Sequence, residues 1–516
     1  VILPKPQQFE RLDGAFQLTS STTVRADEPS AQAARALRRA LTPATGFALD
    51  DASGDGAAAI TLRVDTSLAG PEAYRLTVTP EGVEIAGSDP SGVFYGVQSL
   101  RQLLPAEIFS TTTVERQWEI PAVAVVDRPR FGWRGTMLDV ARHFMPKEFV
   151  LKLIDLLAVH KLNVFHFHLT EDQGWRLASE KYPRLTEVGA YRPETLVGHA
   201  HRPESEFTFD GRPHGGYYTQ DDIREIVAYA QERFVTVVPE IDMPGHMLAA
   251  IAAYPELGNG LKPAEVWTRW GISEQVLNVE DSTLDFCRDI LDEVMSLFPS
   301  PLVHCGGDEC PKAEWKVSPA AQERMKSLGL ADENALQAWF TTQLAAHVAD
   351  RGRRFVGWDE VLEGGGPANL PKDVVVMSWR SEEGGIEAAR GGLDVVMAPC
   401  QTVYFDYYQS EDKDAEPLAI GGFVPLEKVY NYRPIPGELD AEASRHVLGA
   451  QCQLWTEYVP TPEHAEYMLF PRVCAFAEAV WRDETGGVEE YSAFLDRLRP
   501  HLARLDAVGV NYRKLD

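Results

Sequence analysis

The chain has 516 residues, 44% of them hydrophobic, enough to bury a large core and more than one domain. Its 49 basic and 77 acidic residues give a formal charge of −28, which disfavours nucleic-acid phosphates and anionic lipid as partners, since both need a positive surface. No stretch is apolar for long enough to span a bilayer, and the six cysteines show no Cys-x-x-Cys or zinc-type spacing, so buried free thiols are expected over disulfides.

The chain begins at Val1 with no initiator Met, so an upstream segment is expected to have been removed, and a secreted or periplasmic location is expected, with the cytoplasm as the alternative. Residues 1–127 read as short alternating strands at 16–19, 59–64, 74–78 and 82–86, interrupted by helical patterns at 30–42 and 95–104. That mixture predicts a small α+β domain ending near Val126-Asp127-Arg128-Pro129.

From Gly135 apolar strands alternate with amphipathic helices. Strands are predicted at 135–142, 163–170, 235–241, 300–308, 354–358, 374–379, 393–398 and 447–452, with helices at 146–161, 219–234, 282–298, 333–352 and 462–481. Eight strands with helices between them predict a (β/α)8 TIM barrel over 128–484, followed by a helical extension over 485–516 that packs on the barrel. A doubly wound open sheet is the runner-up, weakened because no glycine-rich dinucleotide or phosphate loop follows a strand. Insertions at 176–216 and 247–281 are expected to shape the leaving-group side of the site.

In such barrels the chemistry sits at the carboxyl ends of the strands. Those ends carry, in order, Asp139 and Arg142; Glu171-Asp172; Glu240, Asp242 and His246; Asp308-Glu309; Trp358, Asp359 and Glu360; Trp379-Arg380; Tyr404 and Asp406; Trp455 and Glu457. Any one of these could be a cap or a salt bridge, but polar or aromatic residues at every end indicate a site. Carboxylates with an arginine hold hydroxyls and tryptophan faces cover the apolar side of a pyranose, so carbohydrate is the substrate class indicated. His166 and His168 share one side of a strand and could hold a metal, though filling the barrel interior is the favoured role.

The motifs Asp139-Val140-Ala141-Arg142-His143-Phe144, His168-Leu169-Thr170-Glu171-Asp172-Gln173-Gly174-Trp175 and Pro239-Glu240-Ile241-Asp242-Met243-Pro244-Gly245-His246 resemble those of glycoside hydrolase family 20 β-N-acetylhexosaminidases. Gly306-Gly307-Asp308-Glu309, Gly357-Trp358-Asp359-Glu360, Tyr404-Phe405-Asp406 and Leu454-Trp455-Thr456-Glu457 continue the match in the family's order. The resemblance implies an exo-acting hydrolase of terminal β-linked GlcNAc or GalNAc that needs no cofactor or metal. It implies Glu309 as general acid/base, Asp308 as the residue orienting the 2-acetamido group, and Tyr404 as donor to the acetamido oxygen. Arg142, Asp406 and Glu457 would hold sugar hydroxyls, and Trp339, Trp358 and Trp455 would wall the pocket. His246 and the acid after strand 2 would tune Glu309. That acid is Glu171 where the family often has Asp, and Asp172 beside it is open to the same contact or to the sugar. The alternatives are a catalytically silent sugar-binding protein and a metal-dependent barrel hydrolase.

A retaining glycosidase ordinarily sets two carboxyls about 5–5.5 Å apart across the scissile bond. Adjacent strand residues point to opposite faces, so Asp308 and Glu309 suit that task badly, and the strand must end or bend at Gly306-Gly307 for both to reach one pocket. If the substrate's acetamido oxygen attacks the anomeric carbon, the protein needs only one proton donor and one group to hold the amide, a substrate-assisted route that family 20 is known to take. Glu309 is expected to be buried beside Asp308, since it must begin protonated.

Overall fold

The computed structural model describes residues 2–53, 59–483 and 489–516. Six strands make the first sheet: β1 (Gln8–Leu18), β2 (Val24–Ala26), β3 (Ile60–Val64), β4 (Tyr74–Thr79), β5 (Gly82–Gly87) and β6 (Trp118–Asp127), in the spatial order β1-β6-β4-β5-β3-β2. Burial alternates along β4, with Tyr74, Leu76 and Val78 buried, so one face of the sheet is covered. The cover is α1 (Ala31–Thr45) and α2 (Pro90–Leu103). Asp89 caps α2 by accepting the Gly92 N–H, and Pro90 opens its first turn; α1 stops at Gly46, whose φ of 71° suits glycine. The long pairing of β1 with β6 exceeds the short strand predicted at 16–19.

Eight parallel strands then close a barrel: β7 (Trp133–Asp139), β8 (Val164–His168), β9 (Thr236–Glu240), β10 (Leu302–His304), β11 (Arg354–Trp358), β12 (Val375–Ser378), β13 (Asp394–Met397) and β14 (Val447–Leu454). β14 pairs with β7 in a register that sets Leu454 beside Leu138 and seals the ring. Every residue of β7 and β8 is buried, as expected of strands covered on both faces. The outer helices include α3 (Lys147–Val159), α4 (Gln220–Gln231), α5 (Asp281–Leu297), α6 (Glu333–Asp350) and α7 (Glu383–Arg390).

Two further predicted elements differ. The strand predicted through Asp308 stops at His304, because Gly306 and Gly307 take φ values of 67° and 97° that turn the chain out of the sheet. The helix predicted at 462–481 is two helices, α8 (Pro462–Leu469) and α9 (Arg472–Trp481), divided where Pro471 has no N–H to continue the ladder. The predicted boundary at 484/485 lies outside the described residues. The last helix, α10 (Tyr491–Val508), packs against both parts of the molecule: His501 meets His160 after α3 at 2.9 Å, Arg504 reaches the Gln102 carbonyl of α2 at 2.5 Å, and Arg497 pairs with Glu478 of α9 at 3.1 Å. All six cysteines are free, and no helix among the described residues is long and apolar enough to cross a membrane.

Candidate active site

A cavity of about 230 Å³ opens at the carboxyl ends of the barrel strands, the size of one sugar ring with its substituents. Trp358, Trp379, Tyr404 and Trp455 wall it, and Arg142, Asp308, Glu309, Asp406 and Glu457 supply its charges. Trp379 and Tyr404 stack at 6.1 Å with their rings 13° apart, a flat aromatic face of the kind that covers a pyranose. A larger cavity of about 870 Å³ lies among the insertions around Phe207, Trp267 and Trp270, and carries none of the strand-end carboxyls. No residue of 176–281 lines the sugar-sized cavity; the insertions meet it through a cavity of about 430 Å³ that shares only Glu457 with it.

The turn at Gly306-Gly307 puts Asp308 and Glu309 into one pocket, with Glu309 itself at a φ of 47°. Asp308 is buried, whereas the Glu309 side chain is 32% exposed, more open than predicted because it stands at the cavity mouth. Behind them His246, also left-handed at φ 56°, places Nε2 3.3 Å from Glu309 and 3.6 Å from Asp308. Its Nδ1 lies 2.8 Å from Glu171 and 3.5 Å from Asp172. Against the cost of burial, Glu171 and Asp308 hold His246 well above its ordinary pKa, as an imidazolium.

Glu171 is fully buried and meets Arg142 at 3.1 Å and His168 at 3.0 Å as well as His246. Burial alone would neutralise it, but Arg142 and His246 keep it ionised, well below the usual carboxylate range. Asp172 is not in the cavity. Its carboxylate accepts the Leu248 and Ser273 N–H groups and ties down the loop after β9, so its placement beside the sugar is corrected. Arg142 is oriented by Gln173 at 2.9 Å and Asp139 at 3.1 Å, and lies 3.7 Å from Glu457.

Asp242 forms an acid pair with Asp308. Its Oδ1 accepts the Gly307 N–H at 3.0 Å, and burial with the nearby Asp308 charge pushes its pKa well up, so the proton stays on Asp242. Asp308 is raised to about 6, first by burial and then by Glu309, with His246 and the Asp242 hydrogen bond opposing. Asp308 Oδ1 and Asp406 Oδ1 are buried without a partner among the described residues, each left facing the demand for a donor. Burial keeps Tyr404 a neutral phenol with an O–H to give.

Below the cavity, Glu240 accepts from His166 at 2.6 Å, His168 at 2.5 Å and the Trp358 indole at 2.8 Å, while His166 Nδ1 meets Gln451. Both imidazoles are fully buried and committed to these partners, and neither lines the cavity. They close the barrel floor and fix the Trp358 wall.

Trp339 is the other correction. It lies on α6, half-buried, with the Arg324 guanidinium 5.1 Å over its ring, and takes no part in the cavity. The third tryptophan wall is Trp379, whose indole N–H is held by Glu360 at 2.9 Å. Its signal was in the sequence, since it ends the Val374–Trp379 run at a strand terminus. Tyr407 and Ile420 also line the cavity, and nothing in the sequence pattern marked them.

A barrel whose strand ends close on one sugar-sized pocket, with an adjacent acid pair and aromatic walls, defines a glycoside-hydrolase site. Residues 131–484 match the model of the glycosyl hydrolase family 20 catalytic domain, and residues 1–128 match domain 2 of the same family. The chain belongs to glycosyl hydrolase family 20. It is 43% identical to a β-hexosaminidase of Porphyromonas gingivalis over 99% of its own length and 64% of that protein's, and 36% identical to one of Vibrio furnissii over 92% and 76%. It thus spans about two thirds to three quarters of the length of these curated relatives. Among solved structures, the exo-β-N-acetylglucosaminidase of Vibrio harveyi in complex with N-acetylglucosamine superposes with a TM-score of 0.86 at 35% identity, covering 99% of this chain and 78% of that one. A mutant Streptomyces plicatus β-hexosaminidase in complex with its GlcNAc product gives 0.85 at 30% identity, covering 100% and 96%.

Proposed function

We propose that the protein is an exo-β-N-acetylhexosaminidase, releasing terminal non-reducing β-linked GlcNAc or GalNAc from oligosaccharides such as chitooligosaccharides, with retention and with the substrate's acetamido group as nucleophile. The observation that carries this reading is the buried Asp308 oxygen left without a partner next to Glu309 in a pocket for one sugar. An acetamido N–H satisfies that oxygen, and this places the amide carbonyl oxygen to attack the anomeric carbon.

In the first step Glu309 gives its proton to the departing glycosidic oxygen as the acetamido oxygen bonds to C1, forming an oxazolinium ion. Asp308 faces the positive charge that develops, and Tyr404 donates to the oxygen that attacks, fixing its position. Glu309 then takes a proton from water, which opens the ring at C1 from the face the leaving group occupied. Two displacements at C1 give retention. Arg142, Asp406 and Glu457 hold the hydroxyls at the far end of the ring, and Trp358, Trp379 and Trp455 exclude water. The imidazolium of His246 sits between Glu171 and the acid pair, 3.3 Å from Glu309 and 3.6 Å from Asp308, and holds the pair in place.

Domain limits of 1–127, 128–484 and 485–516, and a secreted or periplasmic location, go with this reading. The test is incubation with an aryl β-N-acetylglucosaminide and the matching aryl β-glucoside, with and without EDTA. Turnover of the first alone, untouched by chelator, is expected. Equal turnover of both would remove the acetamido group from the mechanism, and loss of activity in EDTA would favour metal-dependent hydrolysis.

A further inference from the structure

Glu309 is a non-glycine residue with left-handed backbone at φ 47°, a strained conformation that persists only where its surroundings impose it. Two side chains outside the cavity grip the peptide on either side of the acid pair. Gln337 of α6 donates its Nε2 to the Gly307 carbonyl at 2.8 Å. Lys312 donates its Nζ to the Cys310 carbonyl at 2.6 Å, and the two side chains are joined by Lys312 Nζ to Gln337 Oε1 at 2.5 Å. The carbonyl before Asp308 and the carbonyl after Glu309 are thus tied to one helix through a single hydrogen-bonded unit. On the opposite side Gly245, next to His246, packs so closely that a Cβ there would lie 3.1 Å from the Cys310 Cα.

We propose that Lys312 and Gln337 are positioning residues that clamp the Asp308–Glu309 dipeptide in the strained conformation from which both carboxyls reach one sugar. Neither side chain lines the cavity, so their effect runs through the geometry of Glu309 and Asp308. The inference rests on the proposed hydrolase reading, which assigns these two carboxyls their work. An error of about 1 Å in such a group costs roughly 10²-fold in rate. Substrate grip at Arg142, Asp406 and the tryptophan walls does not pass through the clamp, so the loss falls on kcat.

Lys312→Met, Gln337→Met, the double variant and the conservative Lys312→Arg are assayed on an aryl β-N-acetylglucosaminide, together with Tm and hydrogen exchange of the 306–310 amides. Either Met variant is expected to lower kcat about 10–100-fold with KM within about 3-fold, and to speed exchange at 306–310. The double variant should lose no more than the worse single one, since both break one unit, and Lys312→Arg should recover most of kcat. A kcat within about 3-fold of wild type in both Met variants, additive losses, or unchanged exchange at 306–310 would overturn the clamp. If one Met variant does not fold, the other with Lys312→Arg gives the same reading. Wild-type inactivity on this substrate would sink the hydrolase reading instead, and the exchange measurement would still decide the clamp.

Discussion

Asp242 does not reach the sugar pocket, yet in the proposed mechanism the proton it shares with Asp308 would fix how much negative charge the oxazolinium ion meets. Asp242→Asn keeps the shape, leaves a carbonyl oxygen for the Gly307 N–H now accepted at 3.0 Å, and offers an N–H to Asp308 where the acid offered an O–H. Asp242→Ala removes both. It leaves a buried backbone N–H unpaired, at about 1–3 kcal/mol, and strips Asp308 of a charge-assisted bond worth about 1.5–3 kcal/mol. If about 3 kcal/mol of that total falls on the transition state, kcat drops about 10²-fold, at 1.36 kcal/mol per tenfold. The Asn variant should stay within about 5-fold of wild type by the same reasoning. The assay is kcat and kcat/KM on an aryl β-N-acetylglucosaminide across pH. Since Asp308 is held at about 6 and works ionised, kcat should rise with pH through about 6 in both wild type and Asp242→Asn. If Asn proves as damaging as Ala, Asp242 acts as a charge and the shared-proton reasoning fails.

Asp308→Asn should lose about 10²–10³-fold in kcat with little change in KM, because its charge matters most as positive charge develops; a change confined to KM would contradict its assigned role. Trp379→Ala should raise KM or lower kcat/KM at least 10-fold through loss of an aromatic wall, while Trp339→Ala should leave both within about 2-fold; steady-state kinetics on the two variants decide between the positions. Stability should fall in mild acid through the buried His160–His501 contact. Burial lowers His160 from 6.5 to about 4 and His501 further. The unfolded chain therefore takes up protons first, so their contribution is complete above about pH 6.5 and is lost as pH falls toward 4. For His160 alone the gap is worth about 3 kcal/mol, and Tm measured from pH 7 to 4.5 should fall less steeply in His160→Gln than in wild type.

Much of the barrel was legible because its strands are buried on both faces and read as unbroken apolar runs, Val374–Met377 and Val395–Ala398 among them. The N-terminal sheet was read less completely. β1 spends most of its length exposed, so Gln8–Ala15 carries no alternating signal and its strand character comes from pairing with β6. At the site, residues that end a strand were visible in the sequence and residues that arrive from elsewhere were not. Trp379 ends a strand. Ile420 and Tyr407 come from the long connection between β13 and β14, and only the folded chain places them. Trp339 shows the opposite failure, since a tryptophan on a helix with no marked apolar face carries no sign of what it covers. Lys312 and Gln337 read as an ordinary surface lysine and helix glutamine, because carbonyl acceptors leave no mark on a sequence.

The glutamate at position 171 gains a reason from the row of charges it joins. Glu309, His246, Glu171, Arg142 and Glu457 follow one another at 3.3, 2.8, 3.1 and 3.7 Å, and the four from His246 to Glu457 alternate in sign. An imidazolium is costly in a fully buried position unless carboxylates flank it, and an arginine in the wall of a sugar pocket needs the same. Glu171 serves both at once, with one oxygen toward His246 and the other toward Arg142 and His168. An aspartate is shorter by one C–C bond, about 1.5 Å, and from the same backbone would have to give up one of those contacts. In the proposed function the row would therefore connect the end of the pocket that grips sugar hydroxyls with the end that moves the proton. A Glu171→Asp exchange, conservative by charge, breaks that connection by length alone.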